Sequence, residues 1–226
     1  MNWRQWLEQF LQLGLSHPCP LCQRAAPNVF CADCQRQLHH CQLANPVTAA
    51  DRLPTFAWGY YEGTLKRAIA QLKYHQCPQI ADPLGTWLGQ AWLQHYQVAG
   101  TGIVVPIPLG SDRLRQRGYN QATLIAQSFC RVTGLALYPQ GLQRIRNTLP
   151  QFNLSPAQRQ QNLEKAFALG LDCQRRPPQQ PVLLLDDIYT TGTTALSAIH
   201  TLNAAGITVR AVVTVARTER FAATPS

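Results

Sequence analysis

One stretch near the C-terminal end combines acidic and hydroxyl side chains in an order that suits a phosphorylated sugar. In VLLLDDIYTTGTT, residues 182–194, four apolar residues precede Asp186 and Asp187. The apolar run predicts a buried strand that stops at the two carboxylates. Carboxylates at this end of a strand could accept hydrogen bonds from the vicinal hydroxyls of a ribose. Because successive strand side chains point to opposite faces, we expect one aspartate to face the ligand and the other a neighbour, a water or a metal.

The segment after the aspartates suits a phosphate. It consists of Thr190, Thr191, Gly192, Thr193 and Thr194. A helical pattern follows, and the first N–H groups of a helix lack intrahelical partners and carry the positive end of its dipole. With threonine hydroxyls and a glycine that permits close approach, they would form a cradle for a phosphate monoester. The residues alone therefore favour ribose 5-phosphate, against the alternative that the threonines only cap the helix and the aspartates are solvated. A Walker loop and a dinucleotide fingerprint are excluded, because GxxxxGK[ST] and GxGxxG are absent.

Four cysteines near the N-terminus have the spacing of a metal site. They form two CxxC pairs eight residues apart, namely Cys19, Cys22, Cys31 and Cys34. Each short turn offers two thiolates, which suits tetrahedral zinc at about 2.3 Å from sulfur. We therefore predict structural zinc rather than disulfides, and metal binding would supply most of the folding energy of so short a module. Three isolated cysteines are predicted to be small buried apolar residues, namely Cys77, Cys130 and Cys173. We expect four further residues to lie on the surface, namely His17, His39, His40 and Cys41.

The composition limits the classes of protein and of partner. The chain has 226 residues, of which 46% are hydrophobic, enough for one sizeable core and a small appended module. A formal net charge of +9 favours anionic partners such as nucleic acid, phosphorylated metabolites or anionic lipid. The first fifteen residues have apolar side chains at helical spacing, but the stretch is shorter than the roughly 20 residues of a membrane span and lacks the pattern of a signal peptide. We expect a cytoplasmic protein with no stable membrane insertion.

Alternating strand and helix patterns begin at about residue 46. Strands are predicted at 56–61, 102–108 and 207–217 as well as in VLLL, and helices at 64–75, 121–134 and 193–206, with glycine stops at Gly134 and Gly206. The basic segment LGSDRLRQRGYN is predicted to be a loop, and SPAQRQQNL to begin a helix with Ser155 as its N-cap. Short connections between these patterns predict an α/β fold with a parallel sheet. The division predicted from the sequence is 1–45 for an N-terminal helix and the zinc module, and 46–226 for the α/β domain.

The chain as a whole resembles the ComF family, whose members join a short four-cysteine zinc module to a type I phosphoribosyltransferase domain. The resemblance runs from Cys19 to Arg217 and is carried by CPLC and CADC, QLKYH, VPIPLGSDRLRQRGYNQ, RIRNTLPQFNLSPAQRQQNLEKAF and VLLLDDIYTTGTT. The last of these is similar to the phosphoribosyl pyrophosphate motif of type I phosphoribosyltransferases. The resemblance implies a phosphoribosyltransferase-like parallel sheet with flanking helices, preceded by a zinc-ribbon-like module.

The resemblance also implies a site spread over several segments. Asp186 and Asp187 would hold the ribose hydroxyls, with Thr190 to Thr194 around the 5-phosphate. The pyrophosphate would meet Leu109 and Gly110, with Arg113 or Arg117, and Lys73 could reach a phosphate. Residues 143–152 correspond to a hood from which Arg144 and Arg146 could close over the leaving group. If the protein is an enzyme, a nitrogen nucleophile would displace pyrophosphate from C1 of the ribose, with Mg²⁺ held largely by oxygens of the ligand itself.

Two other functions remain open from the sequence. The ComF resemblance implies a role in natural competence, the uptake of external DNA, with single-stranded DNA and DNA-processing proteins as partners. Arg24, Arg36 and Phe30 of the zinc module could then contact a strand by phosphate binding and stacking. The third possibility is a docking scaffold that has lost its ligand. Two carboxylates beside a threonine cradle argue against such a loss, because they are costly to keep without a partner.

Overall fold

A six-stranded sheet forms the centre of the computed structural model, which describes residues 17–48, 53–96, 101–145 and 166–218. In order across the sheet, the strands are β3 (Val47–Thr48), β4 (Thr55–Tyr60), β10 (Val209–Arg217), β9 (Val182–Tyr189), β5 (Ile103–Pro106) and β6 (Ala136–Leu137). Only β3 runs antiparallel to its neighbour, and every other pair in this sheet is parallel. The predicted α/β class with a parallel sheet is confirmed.

Helices and two small sheets surround the central sheet. The helices are α1 (Ala32–His39), α2 (Gly63–Tyr74), α3 (Ala81–Tyr96), α4 (Ser111–Arg117), α5 (Gln121–Thr133), α6 (Leu171–Arg175) and α7 (Thr193–Ala204), with a 3₁₀ turn at Pro78–Ile80. The small sheets are antiparallel pairs, β1 (His17–Pro18) with β2 (Ala25–Ala26) and β7 (Leu142–Arg144) with β8 (Phe167–Leu169). Gly134 and Gly206 follow α5 and α7 with φ of 73° and 75°, so both predicted glycine stops are confirmed.

Helix α3 is not anticipated by the sequence patterns, yet it packs closely against α5 along one face of the sheet. A Cβ on Gly85 would overlap the carbonyl oxygen of Ile125, and a Cβ on Gly89 would lie 2.9 Å from that of Val132. The two glycines therefore let the backbones of α3 and α5 approach. Glycines weaken a helical pattern in sequence, which is why the helix escapes a prediction based on periodicity.

The prediction of a loop after β5 is wrong in part. Residues Ser111–Arg117 form the short helix α4, which ends at Gly118 with a left-handed φ of 81°. None of the side chains of α4 is buried, so the helix has no apolar face for a sequence pattern to reveal. Its arginines are presented to solvent beside the carboxyl end of β5.

The cysteine module shares a continuous core with the sheet. Phe30 is 3% exposed and stacks on Trp87 of α3, with 6.0 Å between the ring centroids, and Trp87 in turn stacks on Trp58 of β4 at 5.6 Å. Cys41 is buried, so the prediction that it lies on the surface is wrong; His17, His39 and His40 are exposed as predicted. Cys130 and Cys173 are buried as predicted, whereas Cys77 is half-buried.

Several predictions fall outside the described residues. These are the N-terminal segment before His17, the helix starting at Ser155, and Arg146. Among the helices of the described ranges, none has both the length and the apolar character needed to cross a bilayer.

Candidate functional site

The two aspartates of β9 lie in different environments. The strand continues to Tyr189, two residues beyond the carboxylates at which the apolar run predicts it to stop. Asp187 is 3% exposed, and its Oδ2 lies 2.6 Å from the Nζ of Lys73 at the end of α2. Asp186 is half-buried, and its Oδ1 accepts a hydrogen bond of 2.8 Å from the backbone N–H of Asp187. The two side chains thus differ in burial and in partner, although their carboxyl groups remain close enough to interact.

The surroundings of Asp186 disfavour its charged form. The pKa of its carboxyl is raised well above the usual range, first because burial disfavours the charged form and second because the Asp187 carboxylate is adjacent. The N–H of Asp187 and the charge of Lys73 act in the opposite direction. Hydroxyl groups or a cation bound at this carboxylate would stabilise its charged form, so the site favours a ligand that supplies either of them.

The segment after β9 forms a tight loop that leads into α7. Gly192 has a left-handed φ of 72°, and a Cβ at this position would overlap the hydroxyl of Tyr189. The Oγ1 atoms of Thr191 and Thr193 lie 2.9 Å apart. Gly192 is the N-cap of α7, and it supplies no side-chain hydrogen bond to the first N–H groups of the helix. The small pocket at this corner is lined by residues that include Asp186, Thr190, Gly192, Thr193 and Thr194.

The end of β5 brings the next segment beside Asp186. Pro106 pairs with Leu185 in the sheet register, and the backbone N–H of Ile107 donates a 2.8 Å hydrogen bond to the Leu185 carbonyl. The chain therefore leaves β5 at the strand end where the aspartates lie. Leu109 and Gly110 follow, and Gly110 is the N-cap of α4.

A cationic pocket adjoins this segment. It has a volume of about 370 Å³ and is lined by Lys73, Tyr74, Gln76, Arg113, Gln116 and Arg117. Arg113 has no carboxylate partner among the described residues. Arg117 bonds the neutral side chain of Gln121, and its guanidinium lies 5.7 Å from the centre of the Tyr74 ring. Of the three cations that line the pocket, Lys73 is paired with Asp187, whereas Arg113 and Arg117 have no carboxylate partner among the described residues.

Arg144 lies close enough to Arg113 and Asp186 for both of their charges to affect its pKa. Its guanidinium lies over the ring of Phe167 at 5.4 Å, across the β7–β8 pair. The pKa of Arg144 is lowered by burial and by the positive charge of Arg113, while the charge of Asp186 opposes this shift. The charge of Arg144 therefore interacts with both Arg113 and Asp186, although the three residues lie on segments 31 and 42 residues apart in sequence.

The four module cysteines converge on one point. Their sulfurs all lie within 4.8 Å of one another, and Cys22 and Cys31 are 3.5 Å apart as free thiols. The first pair sits on a turn closed by the Cys19 N–H to the Arg24 carbonyl at 2.8 Å. In the second pair, Cys31 is the N-cap of α1, so Cys34 lies in the first turn of that helix. The set could hold a tetrahedral metal ion such as zinc, as the spacing predicts.

One thiol of the cluster loses its proton more readily than an ordinary cysteine, which favours metal binding. The pKa of Cys22 is lowered to about 6, mainly because its sulfur accepts a hydrogen bond from the Arg24 backbone. Burial raises the pKa of Cys34. A metal ion would offset this cost, because it favours the thiolate form of each ligand.

Comparisons with known proteins agree with this architecture, although no family model matches the chain. DNA utilization protein YhgH of Salmonella typhimurium is 31% identical over 181 residues, which cover 78% of this chain and 73% of that protein. Competence protein ComFC of Bacillus subtilis is 24% identical over 184 residues, covering 79% and 68%. Competence protein F of Haemophilus influenzae is 37% identical over 91 residues, covering 40% and 39%.

The chain belongs to the ComF family. Within this ComF protein, the segments QLKYH and RQRGYNQ, separated in sequence, are bonded to each other and to β5. The hydroxyl of Tyr119 donates a 2.5 Å hydrogen bond to the Leu72 carbonyl, and the Asn120 amide donates one of 3.0 Å to the Ile107 carbonyl. Asn120 also caps α5 through the N–H of Ala122. These bonds hold the cationic pocket beside the strand ends.

Sequence reasoning missed three residues of the candidate site. Tyr189 packs against Gly192, Tyr74 presents its ring beside the arginines, and Asn120 anchors the segment after α4. Tyr74 and Asn120 stand inside the quoted family segments, and Asn120 directly precedes a helical pattern, which is an N-cap signal. Tyr189 offers no comparable signal, because an aromatic residue at the end of a strand usually belongs to the core.

Proposed function

We propose that this protein binds phosphoribosyl pyrophosphate together with Mg²⁺ and acts in the use or uptake of DNA. The observation that carries the first part is the meeting of a half-buried carboxylate, an uncapped helix start and a cationic pocket at the ends of β5 and β9. Those three features correspond to the ribose hydroxyls, the 5-phosphate and the pyrophosphate. The second part rests on the relatives, which are named competence and DNA utilization proteins.

Each part of the ligand has a counterpart in the site. The ribose hydroxyls would bind the aspartates, and the 5-phosphate would take the N–H groups at the start of α7 with the threonine hydroxyls. Arg113, Arg117 and Arg144 would stabilise the charge of the pyrophosphate. Mg²⁺ would be held mainly by ligand oxygens, since this ion keeps waters and takes few protein carboxylates.

If transfer takes place, a nitrogen nucleophile replaces pyrophosphate at C1 of the ribose. Positive charge grows on the ribose while negative charge grows on the leaving group, so the arginines contribute more in the transition state than in the ground state. The carboxylates hold the sugar in position as its bond to pyrophosphate breaks.

Zinc in the four-cysteine cluster completes the proposal. Its role would be structural, because four thiolates fill a tetrahedral shell and leave no open position for a substrate. Since the module shares its core with the sheet, zinc would also support the wall of the α/β domain around Trp58 and Trp87.

Calorimetric titration of the zinc-loaded protein with phosphoribosyl pyrophosphate and Mg²⁺ tests the ligand. Saturable binding is expected, with loss of about tenfold or more in affinity for Asp186→Asn, because a charged acceptor of a ligand hydroxyl is removed. Asp82→Asn is the matched control, since Asp82 binds Ser128 and Arg131 between α3 and α5. Absence of binding in folded protein would reject the proposal and leave DNA handling or a docking scaffold.

A second candidate function, the binding of single-stranded DNA, is favoured by the cationic pocket rather than by the zinc module. Tyr74 is 72% exposed beside Arg117, and an exposed aromatic ring among arginines is typical of sites where bases stack and phosphates bind. Phe30 is buried, so the stacking predicted for it in the module does not fit the structure, whereas Arg24 and Arg36 are exposed and both bind Asp33.

Fluorescence anisotropy with a single-stranded oligonucleotide at several salt concentrations tests this candidate. Tyr74→Ala is expected to weaken binding about tenfold through lost stacking, and Arg113→Ala to reduce the salt slope by about one. Lys66→Ala is the matched control, because Lys66 also lies over a tyrosine ring, Tyr61 at 5.8 Å, but does not line the pocket. Equal losses in all three variants would contradict a site at the pocket.

A further inference from the structure

The contact between Lys73 and Asp187 joins two segments that the resemblance treats as separate ligand contacts. Lys73 stands in the last turn of α2 with a side chain 16% exposed, and the Asp187 side chain is 4% exposed. Their charged atoms are 2.6 Å apart. Asp187 Oδ2 has no hydrogen bond of ordinary geometry among the described residues, so the lysine charge is what compensates it. A buried carboxylate without that charge would be strongly destabilising.

Asp186 has the opposite surroundings. It lines the small corner pocket together with Thr190, Gly192, Thr193 and Thr194, a lining from which Asp187 is absent. The charged groups that interact with its carboxyl are Asp187, Lys73 and Arg144, and the first two lie outside the lining of this pocket. Asp186 therefore faces the space in which a ligand would lie, whereas Asp187 faces the interior.

We propose that Lys73 and Asp187 form an internal positioning pair, and that Asp186 is the only one of the two aspartates that contacts the ribose. The identity of the ribose ligand rests on the function proposed above, while the pair itself does not. This arrangement reassigns Lys73 from the phosphate and Asp187 from the ribose hydroxyls. It gives both residues one task, which is to tie the end of α2 to β9.

The position of the pair explains what it would control. Lys73 is followed by Tyr74 and lines the cationic pocket, and Asp187 is adjacent to Asp186 in β9. The ion pair therefore sets the spacing between the pocket proposed for pyrophosphate and the carboxylate proposed for ribose. Positioning groups of this kind affect affinity through the geometry they hold rather than through contact with the ligand.

A double-mutant cycle separates positioning from direct contact. The variants are Lys73→Met, Asp187→Leu and the two combined, with denaturant unfolding and titration of phosphoribosyl pyrophosphate as the two readouts. Each single change is expected to lower the unfolding midpoint, because it leaves one buried charge unpaired, and the double change to recover most of the loss. Lys73→Arg keeps the charge and is expected to rescue both readouts. Lys66→Met on the same helix is the control and is expected to change neither.

Ligand affinity decides between the roles. In the double variant, two apolar side chains replace the ion pair and keep α2 packed against β9. If neither residue contacts the ligand, this variant binds within about threefold of the wild type, whereas Asp186→Asn loses about tenfold or more in affinity. If the stable double variant loses as much as Asp186→Asn, then Lys73 or Asp187 contacts the ligand and the proposal is overturned. If the double variant loses as much stability as the two single variants together, the two residues are not paired and the proposal is also overturned. Wild-type protein that binds no ligand would remove the role of Asp186, while the unfolding cycle would still decide the pair.

Discussion

The four-cysteine module and the aspartate–threonine site differ in how far apart their residues lie along the chain. All four sulfurs of the module come from residues 19–34. The site at the strand ends draws on residues from Lys73 to Thr194, carried by α2, α4, β7, β9 and the start of α7. A metal site closed by two turns is therefore nearly complete in local sequence, whereas the second site exists only after the sheet has formed.

The two regions also differ in what stabilises them. The four cysteines of the module could hold a metal ion, which would satisfy four thiolates at once. The strand-end site contains an aspartate whose charged form is disfavoured by its own surroundings. We therefore expect the module to lose stability when a cysteine is replaced, and the strand-end site to gain stability when Asp186 is replaced.

The largest expected effect is removal of the metal ligands. Cys19→Ser should lower the free energy of unfolding by at least about 3 kcal/mol, since the zinc-bound module supports the aromatic core at Trp58 and Trp87. Thermal unfolding followed by tryptophan fluorescence, with zinc content measured in parallel, provides the check. Cys77→Ser, outside the cluster, is the control. A Cys19 variant as stable as the Cys77 variant would mean that the module is dispensable for the sheet.

The next effect concerns the loop before α7. Gly192→Ala should cost about 2 to 4 kcal/mol, because the backbone is left-handed there and the new Cβ would overlap Tyr189. Gly134→Ala has a similar φ but no atom within 4 Å of the new Cβ, so it should cost about 1 to 2 kcal/mol. Urea unfolding of both variants isolates the overlap, and equal losses would show that Tyr189 yields without cost.

A smaller effect of opposite sign is expected at Asp186. Asp186→Asn should raise the free energy of unfolding of the unliganded protein by about 1 kcal/mol at neutral pH, because it removes a half-buried carboxyl whose charged form is disfavoured by its surroundings and by Asp187. The carboxyl pKa is higher in the folded than in the unfolded chain, so its stabilising contribution is present at low pH and is lost as pH rises through the unfolded value towards the folded one. Unfolding of wild type and variant across that range should therefore diverge with rising pH. If the free energies of unfolding of wild type and variant change in parallel with pH, the pKa of Asp186 does not differ between the folded and unfolded chain.

The smallest effect is expected at the surface of the module. Arg24→Ala removes an exposed ion pair with Asp33, which also retains Arg36, and should leave the thermal midpoint unchanged within error. A clear fall in the midpoint, compared with Arg175→Ala on α6, would indicate that Arg24 acts through the Cys22 thiolate instead.

Sequence reasoning recovered the elements whose signals are local. The apolar run before Asp186 and the glycine after α5 are read from adjacent residues, and both agree with the structure. Helix α3 was missed because its packing glycines, Gly85 and Gly89, weaken the pattern while they improve the contact with α5. Helix α4 was missed because it buries nothing.

The sequence alone specifies a four-cysteine cluster, a parallel α/β sheet, and two aspartates followed by a threonine loop, because turn geometry and side-chain periodicity act over a few residues. It does not specify that Asp187 pairs with Lys73, that Arg144 lies near Arg113 and Asp186, or that Phe30 is buried against Trp87. Those contacts depend on the strand order and on helix packing, which bring together segments far apart in the chain. Burial then assigns different environments to two identical neighbouring aspartates, a distinction that residue type cannot carry.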